Sequence, residues 1–293
     1  MIKFKSDINK ELFDVIFPRY KASSRTKVRN LIKHGCVSVN EEIIKRTDYP
    51  VENGDLIEIS EEISSFPIRK SSPYNIVFED KYLIAVIKPA GLVTSGDVPD
   101  RASTLHKNLN HYLNSISKNK ITLYVIHRID KEVEGIVLFS KFEAIQLKIK
   151  ENWNDVEKKY YALVNGITPQ EEDIIGSWLR EGSKQKVFST PESSASKYAI
   201  TRYRVIKKLH GYTLLEVRLE TGRKNQIRVH MSDIGCPIVG DWKYGDKSKV
   251  KRQIRLFAFY ISFSHPVSGK RIRLELPLAK WFLRLGDKDE KYK

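Results

Sequence analysis

The sequence predicts an α+β fold, on three observations. Strand-like runs recur along most of the chain but seldom alternate strictly with helical patterns, which argues against a doubly wound parallel sheet. Apolar residues at helical spacing occur in only a few segments. A small region ahead of a Ser-rich stretch carries its own helix and strands, so the 293 residues are expected to form two units.

The first unit is expected over residues 1–65 as a small α/β module. Val28, Leu31 and Ile32 recur at helical spacing, predicting a helix over Arg25–His34 with Ser24 as its cap and Gly35 as its end. "CVSVN" alternates as a short strand, and Asn53-Gly54 marks a turn before "DLIEIS". The stretch from Arg19 to Lys33 holds Arg19, Lys21, Arg25, Lys27, Arg29 and Lys33 and no acidic residue. Arg25, Arg29 and Lys33 fall at i, i+4, i+8, a basic stripe on one helix face. Acidic residues gather instead in the following hairpin region. Alone, such a stripe is either a solvated face or a phosphate-facing surface, and the separation of signs favours the second.

"ISSFPIRKSS" has little periodicity and reads as a linker, set at residues 66–75. The second unit, 76–293, opens with two strands in "NIVFEDKYLIAVIKPAG", turning at Glu79-Asp80 and breaking into a loop at Lys88-Pro89-Ala90-Gly91. "TLYVIHRID" and "GIVLFSK" read as strands, Phe142–Trp153 as a helix, and "KKYYALVNG" as a strand ending at Gly166. Residues 180–197 read as an exposed loop or weak hairpin. "YTLLEVRLETG" alternates, with Leu215, Val217 and Leu219 on one face. Ile227, His230, Met231 and Ile234 mark a helix, and "RLFAFYISFSHP" with "KRIRLELPL" forms a last hairpin.

Composition narrows the partners. Hydrophobic residues at 41% suffice for a core, and 52 Lys+Arg against 36 Asp+Glu give +16. That balance favours a polyanion, with nucleic acid first and an anionic membrane surface second. The second lacks a basic amphipathic helix bearing Trp or Phe. Cys36 and Cys236 have no nearby His or Cys partner, so neither a disulfide framework nor a zinc site is suggested. The charged N-terminus lacks the apolar core of a signal peptide, and no apolar run reaches membrane-spanning length. A cytoplasmic location and a monomer are the default expectations.

The sequence holds no Gly-rich phosphate loop, no zinc-deaminase motif, no Gly-x-Ser-x-Gly elbow and no two-metal carboxylate cluster, so no cofactor or metal is expected. What remains is a chemistry of one carboxylate, arginines and an aromatic ring. Asp130 is expected at the end of a strand, ahead of a buried one and at the floor of a cleft. Arg228 lies at the edge of its helix's buried stripe and needs a carboxylate partner. An Asp130–Arg228 pair would keep the aspartate ionised. On these residues alone the pair is either a structural salt bridge or part of a reactive site.

"HRIDKEVEGIVLFSK" (127–141) resembles the His-Arg-Leu-Asp signature of the RluA-like family of RNA pseudouridine synthases. "VFEDKYLIAVIKPAGLV" (77–93), "KKYYALVNG" (158–166), "ETGRKNQIRVHMSDIGCPIVGDWKYGD" (220–246) and "FSHPVSGKRIRLELPL" (263–278) are similar to further blocks of that family, in its order. The N-terminal module resembles the S4-type RNA-binding domain, through its basic helix, "GCVSVN" and "NGD". The resemblance implies a mixed, mainly antiparallel sheet flanked by helices and loops, and isomerisation of uridine in RNA without cofactor or metal. It implies that Asp130 is the catalytic aspartate, Tyr160 stacks on a flipped uracil, and Arg228 pairs with Asp130. Arg128 would hold the RNA open and Ile227 would wall the pocket, while Arg25, Lys27, Arg29 and Lys33 would contact RNA backbone. Ribosomal RNA of the large subunit is the favoured substrate and transfer RNA the alternative. A non-catalytic RNA-binding or ribosome-assembly factor is the competing reading. It is motivated by departures from the family pattern: Val133-Glu134 for Thr-Ser, Asn225 for His, and Phe257 for His. These are expected to remove hydrogen-bonding groups around the catalytic loop, with Glu134 adding negative charge near Asp130.

Overall fold

The computed structural model describes residues 2–19, 25–33, 37–40, 42–44, 46–59, 72–96, 103–117, 119–245 and 253–283. The expected cap Ser24, the helix end at His34-Gly35, Cys36 and most of the expected linker lie outside these residues.

The N-terminal part runs β1 (Ile2–Lys5), β2 (Lys10–Glu11), α1 (Leu12–Ile16), α2 (Arg25–Lys33), β3 (Val37–Val39), β4 (Glu42–Ile43), β5 (Pro50–Val51) and β6 (Leu56–Ile59). Its four-stranded sheet has the order β1-β6-β3-β4. Val28, Leu31 and Ile32 are buried as their spacing predicts, against Leu12, Val15 and Ile16 of α1 and Ile57 and Ile59 of β6. The Asn53-Gly54 turn forms, with Gly54 at a φ of 97° that favours glycine.

The remainder builds β7 (Ile76–Glu79), β8 (Leu83–Lys88), α3 (Leu105–Ile116), β9 (Tyr124–Val125), β10 (Glu134–Ser140), α4 (Glu143–Glu151), β11 (Glu157–Asn165), β12 (Glu172–Glu181), β13 (Val187–Thr190), β14 (Lys197–Leu209), β15 (Tyr212–Leu219), α5 (Gln226–Asp233), β16 (Leu256–Ser264) and β17 (Arg271–Glu275). The strands join one sheet in the order β13-β12-β14-β15-β11-β16-β10-β8-β7, with β17 on β16 and β9 on β10. β10 and β16 run parallel and the other ladders are antiparallel, so the sheet is mixed and mainly antiparallel.

Two segments correct the sequence reading, and a third takes one of its two expected forms. "TLYVIHRID" supplies only the two-residue β9. Beyond Val125 the chain is tied to loops and side chains instead of a strand: Thr94 Oγ1 donates to the Ile129 carbonyl at 2.9 Å, and His127 Nε2 accepts the Leu138 N–H at 3.1 Å. Asp130 therefore sits in an irregular loop and not at a strand end. Helix α3 is additional to the expected elements, and its signals are local: Thr104 caps it by accepting from Lys107 N, and Leu105, Leu109 and Leu113 are buried at four-residue spacing. The stretch 180–197 is a hairpin region, in which β12 pairs with β13.

The join between β10 and β16 is narrow, since they pair only at Glu134↔Phe257 and Gly135↔Ala258. A Cβ on Gly135 would lie 2.3 Å from the Ala258 carbonyl oxygen and 2.5 Å from Ala258 Cβ, and Gly135 holds a φ of 141°. Glycine is required there because two backbones meet without room for a side chain. Beside this join, the Asp130 loop faces β11 and α5.

Candidate active site

A cleft of about 950 Å³ opens between the 127–133 loop, the start of β11 and the N-terminal end of α5. Asp130, Tyr160, Arg228, Arg128 and Ile227, all named from the sequence, line it. Arg25, Lys27, Arg29 and Lys33 belong to α2 in the N-terminal part. Arg25 and Arg29 are exposed, with their guanidinium groups 5.7 and 5.0 Å from the Phe13 ring centroid. The side chains of Lys27 and Lys33 lie outside the described residues.

The loop carrying Asp130 is pinned from below. Lys88, fully buried at the end of β8, donates from Nζ to the carbonyls of Pro89 (2.9 Å), Leu92 (2.7 Å) and Lys131 (3.0 Å). Gly91 N–H donates to the same Lys131 carbonyl at 2.8 Å. The Lys-Pro-Ala-Gly break seen in the sequence is thus a clamp on the loop that carries Asp130. Burial pushes the Lys88 ammonium down to about 8, against the opposing charges of Glu132, Asp130 and Glu134.

Arg228 is 4% exposed on α5. Its Nε and Nη2 engage Asp241 at 2.7 and 2.9 Å, a two-point pairing that fixes the plane of the guanidinium. Nη1 then faces the cleft, 3.6 Å from Asp130, 3.1 Å from Glu132 and 3.2 Å from Asn225 Oδ1. The Tyr244 ring lies under the guanidinium at 5.2 Å. Both Asp241 and Tyr244 come from the Gly-Asp-x-x-Tyr-Gly segment, which the sequence reading noted without giving either residue a role. Burial opposes the charge on Arg228, but the bonds and charge of Asp241 outweigh it and hold the group above its ordinary range.

Arg228 favours the ionised form of Asp130, as expected, but burial is the larger influence. The Asp130 carboxyl is therefore shifted above the usual aspartate range. Arg228 opposes that shift and Glu132 reinforces it, while the Asn225 backbone N–H donates to the carboxylate and lowers it. The neighbouring like charge that acts on Asp130 is Glu132. Glu134 accepts from Gln253 and influences Lys88 instead.

Tyr160 is 7% exposed and sits at a bulge between Lys159 and Tyr160 in the β11–β16 ladder. The extra residue, Phe259, is on β16, so β11 keeps its alternation and carries the Tyr160 side chain on its cleft face. Burial and the charge of Asp130 push its hydroxyl well above the usual tyrosine range, so the ring is a neutral phenol. Ile227 is 4% exposed beside it. Arg128 is exposed at the mouth.

The three departures have structural accounts. Val133 is buried in the core. Phe257 packs with Leu163, Phe259 and Phe282 on the face away from the cleft. Asn225 caps α5 at a φ of 54°, a conformation asparagine tolerates. It also keeps two polar contacts, donating to Tyr244 Oη at 2.9 Å and accepting from Arg228. Among the described residues no group of three or more His, Cys, Asp or Glu is placed to hold a metal ion, and no helix is long and apolar enough to cross a membrane.

Comparison with known proteins matches these features. Residues 82–233 match the RNA pseudouridylate synthase family, and residues 12–57 match the S4 domain. An uncharacterized RNA pseudouridine synthase of Mycoplasma genitalium is 33% identical over 274 residues, covering 88% of this chain and 86% of that protein. The ribosomal large subunit pseudouridine synthase D of Haemophilus ducreyi is 31% identical over 290 residues, covering 92% and 87%. The structure of human RNA pseudouridylate synthase domain containing 4 superposes with a TM-score of 0.59 at 23% identity, over 71% of this chain and 89% of that one, a likeness of fold. A buried arginine facing a cleft aspartate, on a mixed sheet behind an S4 domain, places the chain in the RluA-like family of RNA pseudouridylate synthases. It is an RNA pseudouridine synthase, and its substrate is RNA.

Proposed function

We propose that this protein converts specific uridines of large-subunit ribosomal RNA to pseudouridine, with Asp130 as the catalytic carboxylate. The observation that carries the reading is Asp130 at the cleft floor, 3.6 Å from Arg228 Nη1, with the Tyr160 ring on the adjacent wall. A base inside a helix is out of reach, so the target uridine is flipped into the cleft and stacked on Tyr160. Arg128 at the mouth takes the place left in the RNA, and Ile227 supplies an apolar wall. The N1–C1′ bond breaks with Asp130 stabilising or trapping the detached partner, and the uracil turns within the pocket. A C5–C1′ bond then forms, C5 loses its proton and N1 gains one. The isomerisation is redox-neutral and needs no nucleotide energy.

The preference for large-subunit ribosomal RNA rests on relatives whose names state that substrate, including the Haemophilus ducreyi protein. In this reading residues 1–65 form an RNA-binding unit, with Arg25, Lys27, Arg29 and Lys33 toward the backbone. Residues 76–293 form the catalytic unit, and the protein works as a cytoplasmic monomer. The departures leave the Asp130, Tyr160 and Arg228 arrangement in place, which favours an active enzyme over a non-catalytic assembly factor. Mapping pseudouridines in a strain lacking the gene tests the target. Loss of one or more sites from large-subunit ribosomal RNA is expected, whereas loss confined to transfer RNA would redirect the assignment.

A further inference from the structure

The proposed reaction uses Asp130, Tyr160 and Arg228, and leaves one buried charge in the same cleft without a role. Lys158 precedes Tyr160 by two residues on β11, so both side chains leave the same face of the strand, about 6.6 Å apart. The residue is 6% exposed and lines the cleft. Its neighbour is the Trp153 ring, whose centroid lies 4.6 Å from Nζ.

The contrast with Lys88 is informative. Lys88 is also buried, and three carbonyl oxygens receive its ammonium. Lys158 has no such cradle among the described residues, and burial alone lowers it, to about 8, with no acidic neighbour offsetting the effect. At neutral pH it carries its charge. His127 on the same side is neutral, since burial drives it down to about 3. A buried cation without a counter-charge is costly and calls for an anion from outside. The approach is open as well. Gly222 stands over the ammonium, and a Cβ there would come to 3.7 Å from Nζ. Any larger side chain at that position would cover the charge.

We infer that Lys158, beside the Trp153 ring and under Gly222, is a binding position for one phosphodiester of the RNA strand next to the target uridine. The inference rests on the reading that the flipped base lies against Tyr160. With the base there, an anion on Lys158 lies one step along β11, beside the base and not on it. An ammonium takes a phosphate oxygen as a charge-assisted hydrogen bond, and the Trp153 face adds cation–π support on its other side. This ties the strand to the cleft floor while the mouth stays open for the rest of the RNA.

The test uses the full-length protein and total RNA labelled with tritium at uracil C5, from cells lacking the gene. Tritium release is measured across a series of salt concentrations for the wild type, Lys158→Met and Lys158→Arg. Loss of one phosphate contact should reduce the slope of log(kcat/KM) against log[salt] by about 0.7, with KM raised about tenfold and kcat within about twofold. Lys158→Arg should keep the wild-type slope. Lys158→Met should melt no lower than the wild type, because it removes an uncompensated buried charge. An unchanged slope in Lys158→Met, with or without weaker binding, would overturn the inference, since a contact to a neutral base edge releases no counterion. Failure of Lys158→Met to fold would overturn it too, by making the lysine structural. Absence of release by the wild type would instead contradict the underlying enzymatic reading.

Discussion

Arg228 and Asp241 form a two-point buried pair, at 2.7 and 2.9 Å, that leaves only Nη1 of the guanidinium pointing at Asp130. The arginine that faces Asp130, the proposed catalytic carboxylate, is therefore aimed by a second carboxylate on a different loop. Asp241→Asn keeps the shape but weakens the aim. It should lower kcat about 10- to 100-fold with little change in KM, since small misplacements at a reacting centre have costs of that order. Asp241→Ala removes the two-point partner of buried Arg228 and leaves only its Nη1 contacts with Glu132, Asp130 and Asn225, and should lose about 3 kcal/mol of stability in chemical denaturation. Arg228→Lys should fail similarly in turnover, because a point-like ammonium cannot hold two oxygens in one plane. Normal turnover in Asp241→Asn would show that Arg228 needs no such support.

Glu132 should be visible in the pH profile. Its charge raises Asp130 and it also draws on Nη1 of Arg228. In the proposed reaction Asp130 acts as the carboxylate, so activity should be lost as pH falls through its raised range. Glu132→Gln removes the like charge and frees Nη1, so the acid limb of kcat/KM should move to lower pH. An acid limb that stays in place or moves up would contradict this geometry.

Gly135 should tolerate no side chain. Alanine there meets Ala258 backbone and side chain at 2.3–2.6 Å while holding a φ of 141°. Gly135→Ala is expected to cost about 3 kcal/mol by combined overpacking and strain. Gly91, at a φ of 87° with open space around it, should cost about 1 kcal/mol when changed to alanine. Equal losses at the two positions would mean that the β10–β16 approach is not a constraint.

His230 makes the fold acid-sensitive. It is fully buried between Thr201 and Ser177, and burial lowers it to about 4 despite the opposing charge of Asp233. Between pH 6.5 and about 4 the unfolded chain binds this proton and the folded chain does not, so stability is lost as pH falls through that window. The expected loss is about 1.5 kcal/mol from pH 6.5 to 5, since the slope of about 1.4 kcal/mol per unit per proton is reached only below the unfolded value. Detection of a protonated His230 in the folded protein by NMR at pH 5.5 would contradict it.

Much of the site was legible in the sequence because its residues lie in contiguous patterns. Asp130 precedes an apolar run, Tyr160 lies on an alternating strand, and Arg228 borders a helical stripe. Their supports were not legible, since their decisive contacts join segments that no local pattern links. Asp241 orients Arg228 from beyond the end of α5, Glu132 neighbours Asp130 in the chain but meets Arg228 only through the fold, and Lys88 adds the distant Lys131 carbonyl to those of its own loop. The same holds for the fold. Helix α2 and strand β15 show their periodicity plainly, whereas β14 hides Ala199, Thr201 and Tyr203 behind a strongly charged outer face. "TLYVIHRID" has strand composition, but its backbone is held largely by side chains of Thr94, His106, Asn110 and Gln146, which no local pattern encodes.

The most direct measurement is tritium release from uracil-labelled RNA by the wild type and by Asp130→Asn. The wild type should release tritium in proportion to pseudouridine formed, and Asp130→Asn should release none while still binding RNA. Its melting temperature should be equal or higher, because a carboxyl that burial shifts upward opposes folding once it is charged. Release by Asp130→Asn at a rate near that of the wild type would contradict the assignment of Asp130 as the catalytic carboxylate.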